Sequence, residues 1–337
     1  MGAITKPALQ DAWQPDPTIT ANQTIRRSIL AEDRRLKAAH PWLKHQDLIG
    51  AGILGAVVLM MTLTALAFLN DAIPGILAVI SMAFAMSIAH EMEHDLIHNL
   101  YFSSSKKMHA FAMGLIWVIK LHANPYWRRL VHIRHHSHSG QNEDWEERLI
   151  GLGQPFGWRR IVATVYPFGA VLFIKSTKSA DPTFSVKTTR RANMPAAIVF
   201  HLLTNLQILD WVLPAEYHEM VPNVVWSTVS ALVVLWVLPS ILRHACLSLV
   251  TTAVHYSDDI PRGNVHFENQ ILDHWAFVPL QLFCFNFGAT HIVHHYITPQ
   301  PFYIRHLVAI KVHGEMIAAG CRHNDLAILS RANRWSK

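Results

Sequence analysis

Four long stretches without charged residues divide the chain and predict helices that cross a membrane. They cover residues 48–69, 72–89, 194–209 and 221–242. About 20 apolar residues in a helix rising about 1.5 Å per residue span the hydrocarbon core of a bilayer. The third stretch gives the weakest signal because it contains His201, Asn205 and Gln207. We therefore predict an all-α, polytopic membrane protein with about four transmembrane helices.

Two shorter apolar stretches, residues 161–174 and 275–289, do not reach the length of a span. The first has basic residues on both sides and is predicted to be re-entrant or interfacial.

Loop charge predicts the orientation of the helices. Segments 70–71 and 210–219 contain no Lys or Arg, whereas segment 175–191 contains five and both termini are basic. Cytosolic loops carry an excess of Lys and Arg, so the N-terminus, residues 91–193 and everything after residue 242 are predicted to be cytosolic. This arrangement predicts two hairpins, with the clustered histidines described below in a cytosolic cap.

The predicted membrane domain covers residues 46–310 and lies between two polar segments. Residues 1–45 are polar and basic, which favours a cytosolic amphipathic segment over a signal peptide. Residues 311–337 are predicted to form a cytosolic tail.

Composition supports a membrane protein and argues against nucleic-acid binding. Only 15% of residues are charged and 51% are hydrophobic, against about 25% charged in typical soluble domains. The net charge of +6 comes from short basic clusters between apolar stretches, which favours a membrane surface as the partner and no nucleic acid. Cys246, Cys284 and Cys321 are isolated, which fits a reducing compartment.

Eleven of the 23 histidines fall in four short clusters. In "HEMEHDLIH", positions i, i+4 and i+8 drift by only about 40° per step around a helix and so share a face. The pattern HxxHH, which also puts its histidines on one face, occurs as "HIRHH" and as "HIVHH". The clustered residues are His90, His94 and His98; His132, His135, His136 and His138; His255; and His291, His294 and His295.

Eight or nine imidazoles exceed what one metal ion accepts, so the count favours two metal ions with four or five nitrogen ligands each. Imidazole suits iron, zinc and copper alike and does not choose among them. Nearby carboxylates would offset the metal charge and orient the rings. The candidates are Glu91, Asp95, Asp144, Asp258 and Asp273.

Two other functions fit parts of the pattern. His90-Glu91-x-x-His94 matches the HExxH motif of zinc proteases, but that function leaves the other clusters unexplained. A metal transporter would place polar ligands near the bilayer midplane, and the predicted spans contain almost none apart from His201 and Asn205.

The three histidine motifs resemble the histidine boxes of the membrane fatty acid desaturase and hydroxylase superfamily. His90/His94 or His94/His98 matches the first box, HIRHH after Trp127 the second, and HIVHH the third. In "THIVHHYITPQPFYIRH" the third box continues into a proline-spaced tail typical of the family. The resemblance covers roughly residues 50–310.

The resemblance implies two iron ions, with O2 as co-substrate. It also implies a single histidine ligand between the second and third boxes, for which His255 is our choice over His244, His266 and His274. His138 is placed outside the set, and one of His90 and His98 is expected not to contact a metal. The candidate ligands are His90, His94, His98, His132, His135, His136, His255, His291, His294 and His295.

The expected reaction is O2-dependent oxidation of an alkyl chain, with desaturation of a fatty acyl chain in lipid metabolism as the first choice. Hydroxylation and oxidative decarboxylation of a fatty acid or alkane remain open, because no residue distinguishes these outcomes in the sequence. Since no haem segment of the cytochrome b5 type is present, we expect a separate electron donor of the ferredoxin, rubredoxin or cytochrome b5 type. The expected location is a bacterial inner membrane.

Overall fold

The computed structural model describes residues 17–218 and 220–336, which form helices and no β-strand. The first sixteen residues of the predicted N-terminal segment lie outside this range. The helices are α1 (Pro17–Ala39), α2 (Gln46–Leu69), α3 (Gly75–Ile97), α4 (Lys106–Lys120), α5 (Pro125–His138), α6 (Trp145–Leu149), α7 (Trp158–Val165), α8 (Ile174–Ala180), α9 (Val186–Val212), α10 (Ala215–His218), α11 (Asn223–Leu232), α12 (Leu238–Val254), α13 (Val265–Glu268), α14 (Val278–Gln281), α15 (Phe287–Tyr296) and α16 (Phe302–Ala318).

Four helices in the described part of the chain are long and apolar enough to cross a membrane. They are Gln46–Leu69, Gly75–Ile97, Val186–Val212 and the continuous Asn223–Val254. Each overlaps one of the four predicted stretches, which confirms the all-helical class and four candidate spans. The fourth joins α11 to α12 through a π-helical turn at Val233–Val237. Pro239 follows that turn and lacks the N–H that an α-helical bond would need, which accounts for the irregularity.

The first two candidate spans, α2 and α3, differ in how much of their surface is buried within the protein. Helix α2 exposes large apolar residues such as Leu59, Leu63 and Leu66, as expected for a surface that faces lipid. Helix α3 is largely buried and packs against α2, α4, α5 and α12. It extends beyond the apolar stretch as far as Ile97, so the first histidine cluster lies at its buried end.

The two shorter apolar stretches form broken structure. Residues 161–174 contain the end of α7, a 3-10 turn at Gly169–Leu172 and the start of α8, and α7 packs against α12. Residues 275–289 contain a 3-10 turn, α14 and the start of α15.

Both polar segments pack onto the helical body. Ile25 and Ile29 of α1 are buried against α15 and α16. Residue 310, where we predicted the domain to end, lies within α16. Beyond it, Asp325 accepts a hydrogen bond of 2.8 Å from the hydroxyl of Tyr256.

Candidate metal centre

The second histidine box lies on α5, whose start is fixed locally. The side chain of Asn124 caps the helix by accepting hydrogen bonds from the backbone N–H groups of Tyr126 and Trp127, at 3.0 and 3.4 Å. Pro125 occupies the first helical position, where its missing N–H has no intrahelical partner to lose. His132, His135 and His136 follow about two turns later; the first two are buried and the third is half-buried.

The third box lies on α15, a helix that is buried along its whole length. Close packing at Gly288 makes this possible, because a Cβ there would lie 2.8 Å from the carbonyl oxygen of Leu272. The backbone N–H of Gly288 also donates to Oε1 of Gln281 at 2.9 Å.

Five histidines from three helices form the first cluster: His94, His98, His132, His136 and His294. The Nε2 atom of His132 lies 3.1 Å from Nε2 of His98 and 3.1 Å from Nε2 of His136. Nε2 of His294 lies 2.9 Å from Nε2 of His136. The ring of His94 packs on His294 with a centroid distance of 4.2 Å.

Four buried histidines form the second cluster: His135, His255, His291 and His295. Nε2 of His291 lies 2.8 Å from Nε2 of His255 and 3.0 Å from Nε2 of His295. His135 completes the group, with its Nε2 atom 3.1 Å from that of His295. His255 caps α12, so this helix continues well past Arg243 and carries the single histidine to the cluster.

The nitrogen geometry fits two bound metal ions. Nδ1 of His135 and of His295 faces a carboxylate at 2.8 Å, which places the proton on Nδ1 and leaves Nε2 with a lone pair. Two lone pairs 3.1 Å apart repel each other unless a cation lies between them. Metal–imidazole bonds of about 2.0–2.1 Å that meet at right angles place their nitrogens about 2.9 Å apart. His94 adds two buried ring nitrogens without a hydrogen-bond partner in the described residues.

Three acidic residues and one backbone carbonyl group contact the Nδ1 atoms of the clustered histidines, on the side of each ring opposite to Nε2. Asp144 faces Nδ1 of His135, as the sequence suggested. Glu146 lies 2.7 Å from Nδ1 of His132, and Glu268 lies 2.8 Å from Nδ1 of His295. Nδ1 of His255 faces the carbonyl oxygen of Thr251 at 2.9 Å. The sequence analysis did not select Glu146 or Glu268. Glu146 could have been found, because it follows the candidate Asp144 by two residues. No motif or histidine box adjoins Glu268 in the sequence, so nothing there pointed to it.

Glu147 was also missed and differs from these acids. Its Oε1 atom lies 3.1 Å from Nε2 of His255 and 3.4 Å from Nδ1 of His135. Both oxygens are buried and have no hydrogen-bond partner among the described residues. Burial, followed by the charge of Asp144, raises the pKa of this carboxyl well above its ordinary value.

Burial keeps most of the imidazoles neutral, which is the form that binds metal. It lowers the pKa of His98 to about 2 and that of His255 to about 3. His135 is different: burial lowers its pKa, but the carboxylates of Asp144 and Glu147 outweigh this and raise it to about 10. A metal ion bound at Nε2 would displace the proton from that nitrogen, and the Nδ1 proton would stay with Asp144. Burial also raises the pKa of Glu268 to about 7. A metal cation would favour the ionised form of these acids.

The structure does not bring His90 into either cluster. Its Nδ1 atom lies 2.8 Å from Nζ of Lys120. Steps of about 40° place His90 and His98 on opposite flanks of His94 around α3, and the first cluster lies on the flank of His98.

Four of the five proposed acidic partners also lie elsewhere. Glu91 pairs with Arg305 at 2.6 Å, and Asp95 accepts from Tyr101 and from the N–H of Phe302. Asp258 pairs with Arg148 at 3.0 Å, and Asp273 with His323 at 2.7 Å. Because Glu91 and His90 are both engaged by cationic side chains, the HExxH pattern does not form a zinc-protease site.

The weaker candidates lie outside the two clusters. His244 contacts the carbonyl oxygen of Ala163 at 3.0 Å, and His274 caps the turn at Ala276. His138 lies 3.2 Å from the carbonyl oxygen of Arg134. His266 packs against Phe267 and is also outside the clusters.

A cavity adjoins both clusters. His94 and His132 of the first cluster line it, and so do His255 and His291 of the second. The rest of its lining includes apolar side chains such as Leu149, Leu247 and Phe287, the basic residues Lys120, Arg128 and Arg243, and the acids Glu146 and Glu147.

Comparison with known proteins gives one clear match. The sequence profile of the fatty acid desaturase family matches residues 71–326, about three quarters of the chain. A search of curated proteins finds no match. The matched region contains all nine clustered histidines and the acids that hold them.

Proposed function

The chain belongs to the fatty acid desaturase family, and we propose that it uses two iron ions and O2 to desaturate a fatty acyl chain. Membership makes it an oxidoreductase of the desaturase and hydroxylase type that acts on fatty acyl substrates at a membrane. The observation that carries the iron proposal is the pair of histidine clusters, with five and four converging imidazoles. The proposed ligands are therefore these nine histidines, without His90.

Two iron ions held by these histidines would supply the oxidising power that side chains lack for breaking an unactivated C–H bond. The two hydrogens of the chain and two electrons and two protons from an external donor would reduce O2 to two water molecules. The chain's own residues hold the rings, offset the metal charge and shape a cavity beside both clusters. That cavity lets one part of an alkyl chain lie against the centre while water is excluded. Removal of two hydrogens gives the double bond that we propose as the product.

Hydroxylation and oxidative decarboxylation are the alternatives, because the same centre serves all three outcomes. We further propose a separate electron donor of the ferredoxin, rubredoxin or cytochrome b5 type. The proposed location is a bacterial inner membrane with the metal centre on the cytosolic side.

The test is mass spectrometry of lipids and headspace volatiles from cells that express the protein. The controls are the variants His294→Ala, which removes a proposed ligand, and His138→Ala, which removes a histidine outside the clusters. New unsaturated chains in the wild type and in His138→Ala, but not in His294→Ala, would support desaturation. Hydroxylated chains or terminal alkenes with the same dependence would select an alternative reaction. One zinc and no iron in the purified protein would refute the proposal.

A further inference from the structure

The cavity beside the metal clusters follows one face of α12. Arg243, Leu247, Thr251 and His255 line it at intervals of four residues. Twelve residues of helix rise about 18 Å. The cavity is therefore elongated, with a basic residue at one end of this face and a proposed iron ligand at the other.

Three buried basic residues, Lys120, Arg128 and Arg243, line this cavity and are called the basic cluster. One carboxylate, that of Glu93, accepts hydrogen bonds from both Lys120 and Arg128. The other nearby acid is Glu146, 3.7 Å from Arg128, and it already faces Nδ1 of His132. Both of these carboxylates therefore already have partners. A third acid of the cavity wall, Glu147, lies beside His255 and His135, at the opposite end of this face of α12.

Arg243 has no hydrogen bond or close ion pair among the described residues. It is only 2% exposed and its Nε atom has no hydrogen-bond partner. The carboxylate whose charge attracts it is that of Glu93, which already accepts hydrogen bonds from Lys120 and Arg128. Arginine stays charged in proteins, and a buried charge without a partner is strongly destabilising. Burial lowers the pKa of Lys120 well below its ordinary value; the charges of Arg128 and Arg243 add to this effect, and the charge of Glu93 opposes it. This favours the neutral form of Lys120, whereas the guanidinium of Arg243 stays charged and is a bidentate donor whose Nε has no hydrogen-bond partner.

We propose that the basic cluster binds the carboxylate of a free fatty acid, with Arg243 as its main partner. This inference rests on the proposed function and names its substrate class. A guanidinium matches a carboxylate with two parallel hydrogen bonds. An ester or thioester carbonyl is neutral and would leave the charge of Arg243 uncompensated. The apolar wall formed by residues such as Leu149 and Leu247 suits the alkyl chain that follows.

The members of the basic cluster lie at different places relative to the histidine clusters. Nζ of Lys120 lies 2.8 Å from Nδ1 of His90, and His94 of the first cluster follows His90 by one turn, or about 6 Å along α3. Arg243 lies twelve residues, or about 18 Å of helix, before His255 of the second cluster, and the cavity between them has room for the alkyl chain.

Binding by iron-loaded protein in nanodiscs tests the proposal without any turnover. Displacement of radiolabelled dodecanoate is measured with unlabelled dodecanoate, methyl dodecanoate and dodecyl phosphate. We expect the wild type to prefer dodecanoate over its methyl ester by roughly tenfold or more, the range of a hydrogen bond to a charged group. Arg243→Gln should reduce this preference to about onefold to threefold. Arg129→Gln should leave it unchanged, because Arg129 donates to Asn99 and lies outside the cavity wall.

The preference is a ratio within one preparation, so a loss of folded protein does not imitate the expected result. Equal affinity of the wild type for acid and ester would overturn the proposal, and this outcome requires no variant. Stronger displacement by dodecyl phosphate would overturn it in favour of a phosphate ligand. An unchanged preference in Arg243→Gln would also contradict it. If oxidation of lipid chains is found while the acid preference is absent, only this inference fails and the proposed function stands.

Discussion

The Oε1 atom of Glu147 lies 3.1 Å from Nε2 of His255, the same nitrogen that faces His291. This carboxylate has no hydrogen-bond partner among the described residues, and it adjoins the cluster with four histidines rather than five. We predict that Glu147→Gln lowers the iron content of the purified protein from about two ions per chain towards one, because a negative charge next to the second cluster is lost. Elemental analysis measures this, and the matched control is Glu143→Gln, at a half-buried acid of the same segment that pairs with Arg262 and belongs to neither cluster. Two ions in Glu147→Gln would contradict the prediction.

His90 and His98 offer a direct comparison on one helix. Only His98 belongs to a cluster, whereas His90 contacts Lys120. We expect His98→Gln to lose iron from the first cluster and to abolish product formation. His90→Gln should retain about two ions per chain. The prediction is wrong if His90→Gln loses as much iron as His98→Gln.

Asp144 and Glu268 orient proposed ligands from the outer side of the rings. Removing such a partner typically weakens metal affinity by about 10–100-fold. We predict losses in this range for Asp144→Asn and Glu268→Gln, measured as iron retention against increasing chelator concentration. Asp273→Asn serves as control, because its carboxylate pairs with His323 away from both clusters. Retention equal to the wild type would show that these carboxylates do not support the ligands.

Glu91 and Arg305 form a buried ion pair of 2.6 Å between α3 and α16. Removing one partner from a buried pair leaves an uncompensated charge and costs about 3–5 kcal/mol. We therefore expect Glu91→Leu to lower the thermal stability of the detergent-solubilised protein markedly. The double variant Glu91→Leu with Arg305→Leu should recover part of that loss. If the double variant is less stable than Glu91→Leu, the pair is not the source of the effect.

Loop charge predicts that residue 71 lies outside the cytosol and residue 178 inside it. Both are exposed, and the three native cysteines are buried. We expect a membrane-impermeant maleimide to label Asp71→Cys in intact cells, and Lys178→Cys only after the membrane is permeabilised. The reverse pattern would invert the predicted topology.

The sequence alone determined four candidate spans, from the length of its uncharged stretches, and the faces of the histidine boxes, from their spacing. Both properties are local: hydropathy follows from composition over about 20 residues, and the 3.6-residue repeat places i, i+3 and i+4 on one side of a helix. These rules identified eight of the nine histidines that the structure brings together, and also His90, which lies outside both clusters. The ninth, His255, was expected only from the resemblance to the family.

Tertiary packing decided which of those histidines belong to the first cluster and which to the second. Along α5, His132 and His136 join the first cluster while His135 joins the second, and α15 separates His294 from His291 and His295 in the same way. This division depends on how α3, α5, α12 and α15 cross, which involves contacts between residues far apart in the chain. The surroundings of Glu147, Glu268 and Arg243 also depend on such contacts. Their neighbours come from other helices, and the spacing of residues along the sequence does not predict which neighbours these are.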